Sequence, residues 1–120
     1  PGKVDKQLYS FASLETIESV KAYNIQKAFI GARGISARGD LTSASAIDAK
    51  IKSTVIEHSH MKILMAGADK TACPAMINFS HLKEFDYWVC DQQTDEVIGM
   101  AHEYDCKLWP DQQEATKITQ

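Results

Sequence analysis

Apolar residues gather into four short runs, and the polar stretches between them repeat at helical spacing. The runs are about Lys27 to Gly31 (with Ala28, Phe29 and Ile30), Lys62 to Ala66, Tyr87 to Cys90 and Cys106 to Trp109. Each has the length of a buried strand and stops at a breaker or polar residue: Gly31, Gly67, Asp91 and Pro110. Leu14, Ile17 and Val20 predict a helix ending near Tyr23-Asn24, with Ser13 as N-cap and Glu15 in its first turn. Ser45-Ala-Ile-Asp48 has the capping-box shape, and Ile47, Ile51 and Val55 place an apolar stripe on a helix to about Ser59. Thr94, followed by Asp95 and Glu96, starts a further helix with Val97, Ala101 and Tyr104 on one face. Leu8 to Ala12 alternates weakly, as a strand would, while Thr71 to Leu82, interrupted by Pro74, reads as irregular or briefly helical.

Strands that are apolar throughout and alternate with helices predict an α/β fold. Its sheet is mostly parallel, with helices on both faces and right-handed crossovers. The 120 residues suffice for one domain, read as 1–110 with a polar tail at 111–120. In such sheets ligands bind beyond the carboxyl ends of the strands. Three loops qualify: Gly31 to Thr42, Gly67 to Pro74 and Asp91 to Thr94.

Composition narrows the partners. With 44% hydrophobic and 24% charged residues the chain reads as globular, and a net charge of −3 speaks against phosphate-backbone binding by this segment. No run approaches the roughly 18 apolar residues of a membrane span. Cys73, Cys90 and Cys106 have neither metal nor redox spacing, so free thiols in a reducing cytoplasm are expected. The chain starts at Pro1, which points to a piece of something longer.

Both arginines of the chain, Arg33 and Arg38, lie in the first glycine loop; every other basic residue is a lysine. A guanidinium fork at a strand end points to an anion held bidentately, against the plain alternative of a strand-to-helix turn with two solvated arginines. Gly67-Ala-Asp-Lys70 follows the second strand as Gly31-Ala-Arg-Gly34 follows the first. Neighbouring parallel strands would bring Lys70 and Arg33 to one crevice; the alternative is an exposed Lys70 paired only with Asp48 or Asp69. Gly31, Arg33 and Gly34 with Asp69 and Lys70 are the candidate ligand-binding residues. His58 and His60 do not face each other on a helix, so no shared metal is expected. Cys90 reads as a buried structural cysteine, and Trp88 and Trp109 as core or subunit-contact residues. The G-x-x-G spacing of Gly31 to Gly34, used by some RNA-clamping domains, sits in an acidic chain with the wrong strand pattern. Asp48, Asp69, Asp86 and Asp91 offer acid–base groups, but no spacing selects a pair. No catalytic residues, metal or cofactor are assigned.

Several stretches share a family pattern: Phe29-Ile-Gly-Ala-Arg-Gly-Ile35, Gly39-Asp-Leu-Thr42, Asp48-Ala-Lys-Ile-Lys52 with Ile56, Leu64-Met-Ala-Gly-Ala-Asp-Lys70, and Phe85-Asp-Tyr-Trp-Val-Cys-Asp91. In order and spacing, from about Pro1 to Trp109, they resemble the effector-binding domain of DeoR-type bacterial transcriptional regulators. The resemblance implies a fold similar to ribose-5-phosphate isomerase and a phosphorylated sugar or related anion as effector. It also implies no enzymatic activity, and DNA binding only through an amino-terminal helix-turn-helix that this chain does not contain. The match covers the second part of that sensor domain, so a truncated sheet with exposed edges, and hence dimers or tetramers, is expected. Lys70 matches a family lysine that contacts the effector. Two positions depart from the pattern: Arg33 and Gly67 stand where the family usually has aspartate. A more acidic effector follows from that exchange. The remaining readings are a divergent sugar-phosphate isomerase and a fragment that only assembles subunits.

Overall fold

Seven strands and three helices follow one another in the computed structural model, which describes residues 16–72 and 77–111. Residues 16–21 are helical (α1), closed by hydrogen bonds from Ala22 N to Ser19 O and Tyr23 N to Val20 O. Strand β1 (Ile25–Gly31) leads into a hairpin of β2 (Gly34–Ile35) and β3 (Asp40–Ser43). Helix α2 (Ala46–Glu57) and strand β4 (Ser59–Met65) follow, then a 3-10 turn (Ala68–Ala72) and β5 (Ile77–His81). A short 3-10 turn (Leu82–Glu84), β6 (Tyr87–Val89), α3 (Asp95–Glu103) and β7 (Lys107–Trp109) complete the described chain.

The four strands predicted from the apolar runs form one sheet in the order β1-β4-β6-β7, every pair parallel. This is the expected α/β architecture, with the sheet flanked by helices. Beside it stands a three-stranded antiparallel sheet, β2-β3-β5. The sequence reading corrects here in two places. The first glycine loop is a hairpin, and the segment read as irregular contains β5. Both sets of strands are short and polar in part, so their pairing, not their composition, defines them.

The core fills the space between the parallel sheet, α2, α3 and the small sheet. It takes in Ala28, Ile30, Leu64 and Trp88 from the large sheet, Ala49 and Ile56 from α2, Val97, Met100 and Ala101 from α3, and Ile35, Leu41 and Phe79 from the small one. Trp88 is fully buried, and its indole Nε1 donates to Ala66 O at 2.9 Å, so its polar atom is satisfied. On α2 the expected stripe of Ile47, Ile51 and Val55 is only half-buried; the buried positions are Ala49, Thr54 and Ile56. A buried threonine is tolerated there because its hydroxyl donates to Lys50 O at 2.7 Å. Asp48 and Lys52, one turn apart on α2, border this buried stripe and line a cavity at the strand ends. Both caps predicted from sequence hold: Ser45 Oγ accepts from Asp48 N at 3.2 Å, and Thr94 Oγ1 accepts from Val97 N at 3.2 Å.

Strands β1, β6 and β7 alternate in exposure although their sequences are apolar runs, whereas in β4 the adjacent Ile63 and Leu64 are both buried. Phe29, Met65 and Trp109 share one sheet face and are 63%, 49% and 51% exposed. No helix in the described residues is long and apolar enough to cross a membrane. The weak strand at Leu8 to Ala12, the Ser13 cap with Glu15, Cys73 and the tail from 112 onward lie outside the described residues.

Candidate functional site

A cavity of about 440 Å³ opens at the carboxyl end of β1, on the side where β4 also ends. Three parts of the chain line it: Gly31, Ala32 and Arg33 after β1; Ser43 to Ser45, Asp48 and Lys52 around the start of α2; and Lys70 from the 3-10 turn after β4. Parallel pairing of β1 with β4 brings the first and third parts together, as the crevice argument required.

The hairpin fixes the backbone that presents Arg33. Arg33 N donates to Thr42 O at 2.9 Å, and the buried Thr42 hydroxyl donates to Gly34 O at 2.9 Å. The side chain is treated differently. Among the described residues no carboxylate pairs with the Arg33 guanidinium, whereas the other two lining cations have partners. Lys52 Nζ lies 3.0 Å from Asp48 Oδ2, and Lys70 Nζ lies 3.6 Å from Asp69 Oδ2. The latter pair is exposed enough to be weak.

Asp48 is the carboxylate inside the cavity. Its Oδ2 accepts from Ser43 Oγ at 2.8 Å as well as facing Lys52. A hydroxyl has one proton, and the contact to Asp48 is shorter than the 3.2 Å contact to Ser45 O, so the carboxylate takes it. Partial burial pushes the Asp48 carboxyl up, but the Ser43 hydroxyl and the Lys52 ammonium outweigh it and hold the group below the usual carboxylate range. Lys52 is steadied further by the Phe79 ring, 5.2 Å from its ammonium.

Of the five residues expected from sequence, Gly31, Arg33 and Lys70 line the cavity, while Gly34 and Asp69 do not. Gly34 is buried in β2, and Asp69 turns outward, with its Oδ1 2.7 Å from where a side chain at Gly67 would begin. The two arginines separate: Arg38 lies at the hairpin tip, exposed, with Asp40 Oδ2 3.9 Å away. Sequence reasoning missed Ser43, Ser45 and Lys52 as lining residues and read Asp48 as a capping-box acid, one of four unassigned acid–base groups, or a pairing partner of Lys70, whereas its observed partners are Ser43 and Lys52. The signal was present, since a helix capped directly after a strand end places its first turns beside that strand's loop.

The other marked residues are structural. His58 caps α2, with Nδ1 3.0 Å from Thr54 O, and no group of acidic, histidine or cysteine side chains among the described residues could hold a metal. Cys90 and Cys106 are buried free thiols. Asp86 joins strand starts, accepting from Lys62 N through its side chain and from Lys107 N through its carbonyl.

Known proteins resemble this chain in sequence. Residues 1–92 match the family described as the DeoR C terminal sensor domain. Over 97 residues the chain is 29% identical to the HTH-type transcriptional repressor GlcR of Bacillus subtilis (strain 168), which takes in 81% of this chain and 37% of that protein. The chain therefore spans well under half the length of this relative. The parallel sheet fits the ribose-5-phosphate isomerase-like fold of the sensor domain. With that match extending over most of its length, the chain belongs to the DeoR C-terminal sensor domain family.

Proposed function

We propose that this chain is the effector-sensing region of a DeoR-type transcriptional regulator. Its ligand is an anionic, phosphorylated sugar-like metabolite bound in the cavity between Arg33 and Lys70. The carrying observation is the convergence of Arg33, Lys52 and Lys70 on one cavity, with Arg33 free of any carboxylate among the described residues. A guanidinium whose backbone is fixed and whose side chain is uncommitted suits a phosphate or carboxylate. The relative is by name an HTH-type transcriptional repressor, and in this reading DNA contact falls to such a part rather than to the residues described. The chain itself, at net charge −3, is poorly suited to a phosphate backbone. Self-association in the cytoplasm completes the proposal: β1 and β7, which are the edges of the parallel sheet among the described residues, and the exposed Phe29, Met65 and Trp109 offer the surface. Signalling then requires that the ligand bind two arrangements of the assembly unequally.

The cavity favours sensing over catalysis. Its carboxylate is held below the usual range by Ser43 and Lys52, whereas a general base works best with a pKa near the working pH.

Calorimetry on the full-length protein with a panel of sugar phosphates tests the reading. Arg33→Ala and Lys70→Ala should each weaken binding by about 10- to 100-fold, the value of a charged hydrogen bond. Affinities unchanged in both variants would remove the ligand from this cavity. Aldose–ketose exchange by the wild type would make the protein an isomerase instead.

A further inference from the structure

We infer that Asp48 reads the hydroxyl groups of the ligand, so that the cavity selects a polyhydroxylated phosphate over a bare anion. The inference rests on the cavity being the effector site and names the residue that sets its selectivity.

An ionised carboxylate in an anion pocket is a liability unless it has a donor to meet. Asp48 lines the same cavity as Arg33 and Lys70, and its two oxygens have different fates. Oδ2 is committed to Ser43 Oγ at 2.8 Å and Lys52 Nζ at 3.0 Å. Among the described residues nothing donates to Oδ1, although the side chain is 40% exposed. A carboxylate accepts and cannot donate, so Oδ1 repels phosphate and attracts O–H.

The group is also held in place. Ser43 is 1% exposed, Lys52 is braced by Phe79, and Asp48 N is fixed by the Ser45 cap. Orientation of this kind gives discrimination, because a rigid acceptor left unmet by a ligand costs the full desolvation of that acceptor. The cavity thus presents a cationic side, Arg33 and Lys70, and an acceptor on α2. A ligand with an anionic head and a hydroxylated body satisfies both. The loss of aspartate at positions 33 and 67 therefore leaves one acid in place, and the expectation of a simply more acidic effector is narrowed accordingly.

A competing account gives Asp48 only the task of pairing with Lys52 one helical turn away. Calorimetry on the full-length protein separates the two accounts. Methyl phosphate and a hexose 6-phosphate serve as probes, since they share the anion and differ in hydroxyls. Asp48→Asn should weaken the hexose phosphate by about 10- to 100-fold and leave methyl phosphate unchanged or tighter. Lys52→Gln keeps the carboxylate but removes its brace, so it should weaken the hexose phosphate more than methyl phosphate, and it remains informative if Asp48→Asn fails to fold. Arg33→Ala should weaken both probes. If Asp48→Asn weakens both probes equally or neither, or if Lys52→Gln weakens both probes in equal proportion, Asp48 is not the hydroxyl reader. If the wild type binds neither probe, the effector-site reading itself fails, and this inference with it.

Discussion

The Cys106 thiol is 4% exposed, and burial first, then the carboxylates of Asp86 and Asp105, push its pKa up to about 12 from an ordinary 9.0. Cys90 is raised as well, by burial foremost and by Asp91 and Asp69 in part. The folded chain thus favours the neutral thiols more than the unfolded chain does. A group whose folded pKa is raised gives its full stability below the unfolded value, and that stability is lost as pH rises toward the folded one. Denaturation midpoints should therefore fall between about pH 9 and 11, and the decline should be shallower in Cys106→Ala. An equal slope in the variant would show that other groups govern alkaline unfolding.

Among the elements, the β2–β3 hairpin repays scrutiny, because it carries the backbone beside Arg33. Its turn is closed by Ser36 N to Asp40 O and Gly39 N to Ser36 O, and the Ser36 hydroxyl accepts from Asp40 N at 3.0 Å. Gly39 has φ +84°, and a Cβ there would lie 2.8 Å from Tyr104 Cε2 and 2.9 Å from His81 Cε1. These two rings meet edge to face at 4.6 Å, and His81 Nε2 bonds the Arg38 carbonyl at 2.6 Å. Gly39→Ala should cost about 1–3 kcal/mol, measured by urea denaturation, through backbone strain and ring displacement together. No measurable loss would mean that the turn relaxes freely. The hairpin was also the element least legible in sequence. Gly34-Ile35 is too short to show a period, and Asp40 to Ser43 mixes polar residues with one leucine. Likewise Asn78, Ser80 and His81 mask β5, whose partner is identified only by pairing. The parallel strands and the caps at Ser45 and Thr94 were legible because their signals are local. The cavity was half legible: strand-end loops pointed to Arg33 and Lys70, but the rotation of α2 that brings in Asp48 and Lys52 is set by packing around Ala49, Thr54 and Ile56.

For the whole molecule, the exposed sheet face bears on assembly. Phe29, Met65 and Trp109 lie exposed on one face, with the buried Ile63 among them. If the proposed self-association uses this face, Phe29→Ser should lower the mass of the full-length protein in sedimentation equilibrium while leaving its thermal midpoint nearly unchanged. Phe29 is already open to solvent, so little burial is lost. A constant mass would move the subunit contact to the sheet edges or elsewhere.

The fastening of the hairpin has a thermodynamic corollary. The backbone at Arg33 is tied at its base by Thr42 and at the tip by Gly39 O, which accepts from Leu82 N at 2.9 Å. The proposed ligand would find its peptide frame there already ordered and would have to still only the rotamers of one long side chain, an entropic cost of about 2 kcal/mol. Under the proposed function, recognition at this loop would be closer to docking on a finished surface than to folding around a guest, and a signal sent onward would come from movement of whole elements.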